Sequence, residues 1–231
     1  MTSKSALAAC LLAGVSLGSA DLTPRPTTEQ IVGRMMEQEQ ARSSKLREYT
    51  SVRHYWLENK RMGTRAHMTV NATYRFPFEK HFEVVEESGP GVLRKKVFHR
   101  MLDSEVEASR EGVRQAVQIS PNNYTFRFIE SAQADGRQCF ILEAQPSSKN
   151  PMLFRGRIWI DAEDYAVTRI EAQPAQNPSF WIRKTSFVHR YGKFGPFWLA
   201  ISNVSDTDVR IFGRTEVRIE YSDYQINPIK N

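Results

Sequence analysis

From residue 123 to its end the chain repeats one pattern, and that pattern limits the fold more than any other feature. Short runs rich in β-branched and aromatic residues cover 123–131, 137–146, 153–161, 165–174, 180–191, 197–207 and 212–226. The breaks between them read "ADG", "PSSKNP", "DAED", "QNP", "GKFGP" and "SDTD", which are turn residues. Evenly spaced strands joined by short turns predict an antiparallel sheet built from hairpins. No internal repeat of 20–50 residues accompanies them.

The first half adds three strands and two helices. "TTEQ" reads as a capping box, with Thr27 as N-cap and Gln30 three residues on, and Ile31, Met35 and Leu46 follow as a sparse apolar stripe. "REYTSVRHYWLE" and "RAHMTVNATYRF", separated by "NKRMG", form a predicted hairpin, and "EKHFEVVEE" a third strand. Over 92–111 the period changes. Leu93, Val97 and Met101 recur at helical spacing beside Phe98, Leu102 and Val106, and Gly112 reads as the stop. The charges of this helix oppose its dipole, with Arg94, Lys95 and Lys96 near the start and Glu105, Glu107 and Glu111 near the end. A helix of this kind depends on docking its apolar face, which suits a lid; a surface helix with solvated charges is the alternative. About ten strands in one sheet tend to curl. The expected fold is mainly β with two helices (α+β): an incomplete antiparallel β-barrel with an α-helical lid or plug.

Composition bounds the compartment and the partners. The 231 residues are 40% hydrophobic and 25% charged, which suits one domain. The mean hydropathy of −0.51 suits a sheet with one wetted face. "MTSKSALAACLLAGVSLGSA" reads as a signal peptide cleaved after Ala20, leaving 21–231 as a single exported domain, expected in the periplasm and monomeric. "LAAC" has the letters of a lipoprotein-processing site. Only six residues precede Leu7, too few for a basic region and an apolar core of about 7–15 residues, so anchoring at Cys10 is not expected. The formal net charge of +6 is spread through the chain. With no basic cluster on a recognisable motif, nucleic acid is not an expected partner, and an anionic membrane surface or an acidic protein fits better.

Catalytic signatures are missing from the sequence. There is no Gly-rich phosphate loop, no G-x-S-x-G and no H-E-x-x-H. The five histidines are dispersed; His54 and His67 could face each other across the first hairpin but lack a third ligand. Cys139 lies among apolar neighbours and reads as a small core residue. The three acids of "DAED", Asp161, Glu163 and Asp164, read as turn chemistry at a solvated hairpin tip. No enzyme, metal or cofactor is expected. What the chain does offer is aromatic surface, including Phe180, Trp181, Phe187, Tyr191, Phe194, Phe197 and Trp198 within one stretch. A curled sheet around two small helices would enclose an apolar cavity.

The stretches "FRGRIWIDAEDYAVTRIE", "NPSFWIRKTSFVHRY" and "GPFWLAISN", with "EQIVGRMMEQ" and "LREYTS" before them, resemble the LolA-like family. These are periplasmic outer membrane lipoprotein-sorting proteins, a group that also includes LolB-type receptors and the sensor domain of RseB-type regulators. The resemblance implies a helical lid over a hydrophobic cavity that holds lipoprotein acyl chains or other lipid such as phospholipid. It implies a membrane-embedded release complex or an outer-membrane receptor as partner, and no cofactor. The apolar residues expected to meet the lipid are Met35, Val70, Phe82, Leu93, Val97, Met101, Phe126, Phe128, Phe140, Leu142, Ile158 and Ile160. In the family an arginine on an early strand, just before a proline, holds the lid closed; "YRFPF" offers Arg75, with one residue between it and Pro77. An RseB-like sensor that binds mislocalised lipoprotein and a membrane protein is the alternative. Wrapping three chains of roughly 16 carbons would give on the order of 35–40 kcal/mol gross, beyond the ceiling of about 18–21 kcal/mol for non-covalent complexes. A shallow, partly filled cavity is therefore expected.

Overall fold

The computed structural model describes residues 25–177, 180, 182–211 and 213–227. The signal-peptide reading, Cys10 and Trp181 lie outside these residues. The elements in chain order are α1 (Thr28–Lys45), β1 (Glu48–Asn59), β2 (Thr64–Arg75), β3 (Glu79–Ser88), α2 (Gly91–Leu93), a π-helical stretch (Arg94–His99), α3 (Arg100–Ser109) and α4 (Glu111–Val117). They continue with β4 (Tyr124–Ala134), β5 (Arg137–Pro146), β6 (Phe154–Asp161), β7 (Val167–Pro174), β8 (Ile182–Phe194), β9 (Phe197–Val209) and β10 (Gly213–Asn227).

All ten strands join one antiparallel sheet in the order β3-β2-β1-β10-β9-β8-β7-β6-β5-β4. Each consecutive pair from β4 onward is a hairpin, as the turn spacing predicts. The last strand then returns to pair with the first, from Glu48↔Asn227 to Asn59↔Thr215. β3 and β4 stay at the two free edges, so the barrel is incomplete. The helical segment 91–117 spans the gap between those edge strands in sequence.

Following partners across the sheet identifies one face. Val70 pairs with Arg53 and Arg53 with Tyr221. Two residues along from Tyr221, Ile219 pairs with Asn203, Asn203 with His189 and His189 with Ile170. Ile170 pairs with Ile158, Ile158 with Leu142 and Leu142 with Phe128. Directly paired residues project to the same side, so this row runs across a single inner face from β2 to β4. Both helical regions pack on that face.

α1 begins as the sequence predicts. The Thr27 hydroxyl accepts from the Gln30 N–H at 3.3 Å, and Gln30 Oε1 accepts from the Thr27 N–H at 2.9 Å. The predicted second helix runs without interruption from Gly91 to Ser109, through a π-helical stretch at Arg94–His99, and its N-terminus carries no side-chain cap. It ends before Gly112, the predicted stop, and a short further helix, α4, follows. The Ser109 hydroxyl donates back to the Val106 carbonyl at 2.7 Å, competing with the helical ladder, and Arg110 turns extended at ψ 140. The chain then re-enters a helix through Gly112, which therefore sits inside α4 and is not a stop. Among the described residues no helix is long and apolar enough to cross a membrane.

Candidate functional site

Two apolar clusters on the inner face each lie under a helix, and a third, of Leu46, Tyr74, Phe197 and Leu199, lies past the C-terminus of α1. In the first, Ile31, Val32 and Met35 of α1 bury against Tyr124, Phe140, Leu142, Ile158, Ile160 and Ile170, with Phe126 and Phe128 partly buried beside them. Alternation explains the sheet side: Ile158 and Ile160 face α1, while Trp159 joins Cys139 and Ile141 in a small cluster on the other face. In the second, Phe98 and Leu102 bury against Tyr55, Leu57, Met68, Val70, Val217 and Ile219. Leu93, Val97, Met101 and Phe82 are partly buried around them. The residues expected to meet lipid thus fall into two groups. Met35, Phe126, Phe128, Phe140, Leu142, Ile158 and Ile160 lie under α1; Val70, Phe82, Leu93, Val97 and Met101 lie at the α2–α3 segment.

Between the clusters lies a polar and aromatic seam. Arg53 is almost wholly buried, and its Nη1 donates to Glu105 Oε2 of α3 at 2.7 Å. Lys80 of β3 reaches the other oxygen of Glu105 at 2.8 Å. The Arg53 guanidinium also lies 4.8 Å from the Phe82 ring centroid and 5.0 Å from that of Tyr221. Burial would push the Glu105 carboxyl up, but the charges of Lys80 and Arg53 and their hydrogen bonds win and hold it at about 2. On the far side of Tyr221, His189 stacks on Tyr191 with centroids 4.5 Å apart, and Asn203 Nδ2 lies 3.3 Å from its Nδ1. His189 Nε2 is closed off from solvent without a hydrogen-bond partner. Burial is the largest influence on this imidazole and brings it down to about 4, with the Arg53 and Lys80 charges adding to the shift against the pull of Glu105.

The seam was not read from the sequence, although one signal was there. In "TSVRHYWLE", Arg53 shares its strand face with Tyr55 and Leu57, both inward. An arginine in that register is committed to a buried partner. Arg75 stands elsewhere, at the far end of β2. It is largely exposed, and its Nε lies 3.5 Å from Glu48 Oε1 across the strand pair.

The "DAED" turn is not a solvated tip throughout. Asp161 is 1% exposed. One of its oxygens accepts from the Glu163 N–H at 3.0 Å and the Asp164 N–H at 2.7 Å, and Arg137 closes on both oxygens. Burial pushes the Asp161 carboxyl up; the Arg137 hydrogen bonds and the two backbone donors outweigh it and hold it below its usual range. Asp164 accepts from the Trp198 indole at 3.0 Å and from Lys193 Nζ at 2.6 Å. The same turn holds α1: Arg42 donates to the Asp164 carbonyl and Arg34 to the Tyr165 hydroxyl, each at 2.9 Å. The acids thus serve turn chemistry, as expected, but as a buried anchor for a helix.

Cys139 is fully buried, and burial pushes its thiol up. His54 lies 3.3 Å from Thr69, whereas His67 lies 3.1 Å from Glu86. Among the described residues no three His, Cys, Asp or Glu side chains gather as a metal site.

No protein-family model matches the chain, and no curated protein sequence matches it. Solved structures do. A putative outer membrane lipoprotein-sorting protein domain from Vibrio parahaemolyticus is similar over 83% of this chain and 92% of its own, at 11% identity and a TM-score of 0.42. A DUF1329 family protein from Desulfovibrio piger is similar over 85% and 92%, at 11% identity and a TM-score of 0.43. A LolA superfamily protein from Nitrosomonas europaea is similar over 89% and 96%, at 7% identity and a TM-score of 0.41.

Proposed function

We propose that this protein is a cell-envelope lipid carrier, binding lipoprotein acyl chains or other lipid on the inner face of the open sheet and releasing them toward the outer membrane. The observation that carries this reading is the pair of apolar clusters on one face, each roofed by a helix that is tied down by a few polar contacts. The α2–α3 segment is the movable roof. It has no caps and its charges oppose its dipole, so it is held by docking. Burial of Phe98 and Leu102 contributes about 3–6 kcal/mol gross, and the Arg53–Glu105–Lys80 contact adds a polar latch. The segment also contains a π-helical stretch at Arg94–His99, a departure from the α-helix that recurs at functional sites. Lifting this segment would expose Val70, Phe82 and the apolar sides of Leu93, Val97 and Met101 as one surface. In this reading Arg53 closes the lid, a role for which Arg75 stands too far out on the strand end.

The test is binding of a fluorescent fatty-acyl probe to delipidated protein. Saturable binding is expected, weakened at least about tenfold by Leu93→Glu or Met101→Glu, changes that place a charge where an acyl chain would lie. Absence of saturable probe binding by the folded wild-type protein would overturn the proposal.

A further inference from the structure

The two rims of the sheet differ in how their charges are mixed. On one rim stand the β4–β5 and β6–β7 turns, whose Asp135, Glu163 and Asp164 are set among Arg75, Arg137 and Lys193, with Glu163 and Asp164 ion-paired to Arg137 and Asp164 also to Lys193. On the other stand the β1–β2 turn, the β9–β10 turn and the entry into β8. These tips carry Lys60, Arg61, Arg183, Lys184 and Arg210; Asp208 lies beside them, paired with Lys184 across the strands and 3.9 Å from Arg183, and 59–63, 180–184 and 209–213 hold no carboxylate of their own. The pairings Asn59↔Thr215, Gly213↔Val209 and Val209↔Ile182 put the three tips side by side. The tips belong to five adjacent strands, β2, β1, β10, β9 and β8, whose four intervals of about 4.8 Å span roughly 20 Å.

Each basic tip also presents an apolar side chain to solvent. Met62 is 55% exposed, Ile211 59% and Phe180 74%. The tips are held in place. Asn59 accepts from the Met62 N–H at 2.9 Å and donates to Thr215 of β10 at 2.8 Å. The Arg61 side chain lies against Gly213, whose positive φ of 74° lets β10 begin there. Arg210 Nε donates to the Phe180 carbonyl at 2.9 Å, and its guanidinium sits 4.6 Å from the Phe180 ring centroid.

We infer that this rim docks the protein on an anionic phospholipid bilayer, with the cations at the headgroups and Met62, Ile211 and Phe180 entering the interface. Cations attract an anionic leaflet by about 1 kcal/mol each near its surface, and apolar tips between them add burial that headgroup attraction alone does not provide. A soluble acidic protein would use the charges but gains less from isolated apolar tips set between them. The inference goes beyond acyl-chain binding, because a bilayer can dock on the rim without any lipid reaching the inner face.

The experiment is co-sedimentation with phosphatidylcholine vesicles, with and without phosphatidylglycerol, at low and high salt. Binding is expected only with phosphatidylglycerol, and is expected to weaken as salt rises. Lys60→Gln/Arg61→Gln should weaken it about 30-fold, the effect of two surface charges. Met62→Ser/Ile211→Ser should weaken it about tenfold or more with the fatty-acyl probe affinity unchanged. Arg75→Gln, on the opposite rim, serves as the control and should bind like wild type. All five positions are exposed, so each variant is expected to keep the wild-type melting temperature, which is checked first. Equal binding to phosphatidylcholine alone, no binding to either vesicle, or binding unaffected by the Met62/Ile211 pair would overturn the inference.

Discussion

Arg53 and Glu105 meet at 2.7 Å across the inner face, one on a central strand and the other on the helical segment that covers it. They are 52 residues apart in sequence, so the contact joins lid to sheet directly. Removing Arg53 leaves Glu105 with Lys80 alone in a partly buried site. Arg53→Ala is expected to cost about 2–3 kcal/mol in urea unfolding. Glu105→Gln keeps the shape and a hydrogen bond but leaves the buried Arg53 without its counter-charge, so a loss of similar size is expected. It should also speed association of an acyl probe several-fold, which is the readout specific to the lid. Equal association rates in wild type and Glu105→Gln would show that this contact does not limit opening.

His189 gives the protein a pH dependence of known sign. Its folded value of about 4 lies below its ordinary 6.5, so the unfolded chain binds the proton more readily. The groups around it are the Tyr191 and Tyr221 rings, Asn203, and the charges of Arg53, Lys80 and Glu105. Its contribution is full above pH 6.5 and is lost as pH falls from there through 4, for a total of about 3 kcal/mol. Glu105, ordinarily at 4.5 and here at about 2, contributes stability that is full above pH 4.5 and is lost as pH falls from there through 2. Urea unfolding between pH 7.5 and 4.5 should therefore show a falling limb that His189→Gln flattens. A limb of the same slope in the variant would assign it to another group.

Much of this fold could be read from the sequence, because turn residues punctuate it. "ADG" and "PSSKNP" bracket β5 at Arg137–Pro146, the range that was predicted. The capping box at Thr27 fixed the start of α1. What escaped reading depends on partners distant in sequence. Nothing local to Arg53 names Glu105, and nothing in "DAED" names Arg137, Trp198 or Arg42. The break at Ser109 escaped for a different reason. It depends on a serine bonding its own helix, a choice open to any exposed serine and visible only once the next residue turns extended. Which apolar residues face inward could be read one by one, but their division between two helices could not. Periodicity tells which face a residue takes and not which roof it meets.

Asp161 should behave as a structural acid. Asp161→Asn keeps an acceptor for the two backbone donors but gives up the charge facing Arg137. A loss of about 1–3 kcal/mol is expected at pH 7. The carboxyl is held below its ordinary 3.8, so the wild-type advantage is present above that pH and fades as pH falls further. Wild type and variant should converge in acid. Because the turn also holds Arg34 and Arg42, amide exchange in α1 should quicken in the variant. An α1 exchange pattern identical to wild type would mean that the turn does not anchor the helix.

Gly156 tests how closely β6 and β7 are set beneath α1. A Cβ at this position would lie 2.1 Å from the Glu171 carbonyl oxygen and 2.6 Å from the Ala172 Cα, both on the paired strand. Neither atom is the end of a flexible side chain, so the strands themselves must separate. Ala172 belongs to the apolar cluster under α1, with Ile158 two residues along β6 from the glycine. Gly156→Ala is therefore expected to lose about 1–3 kcal/mol, the range for overpacking a filled site. The displacement should reach the inner face and weaken acyl-probe binding, whereas Gly112→Ala, in open space on α4, should be neutral or slightly stabilising. A Gly156→Ala protein with wild-type stability would show that β6 and β7 can part at that point without cost to the packing under α1.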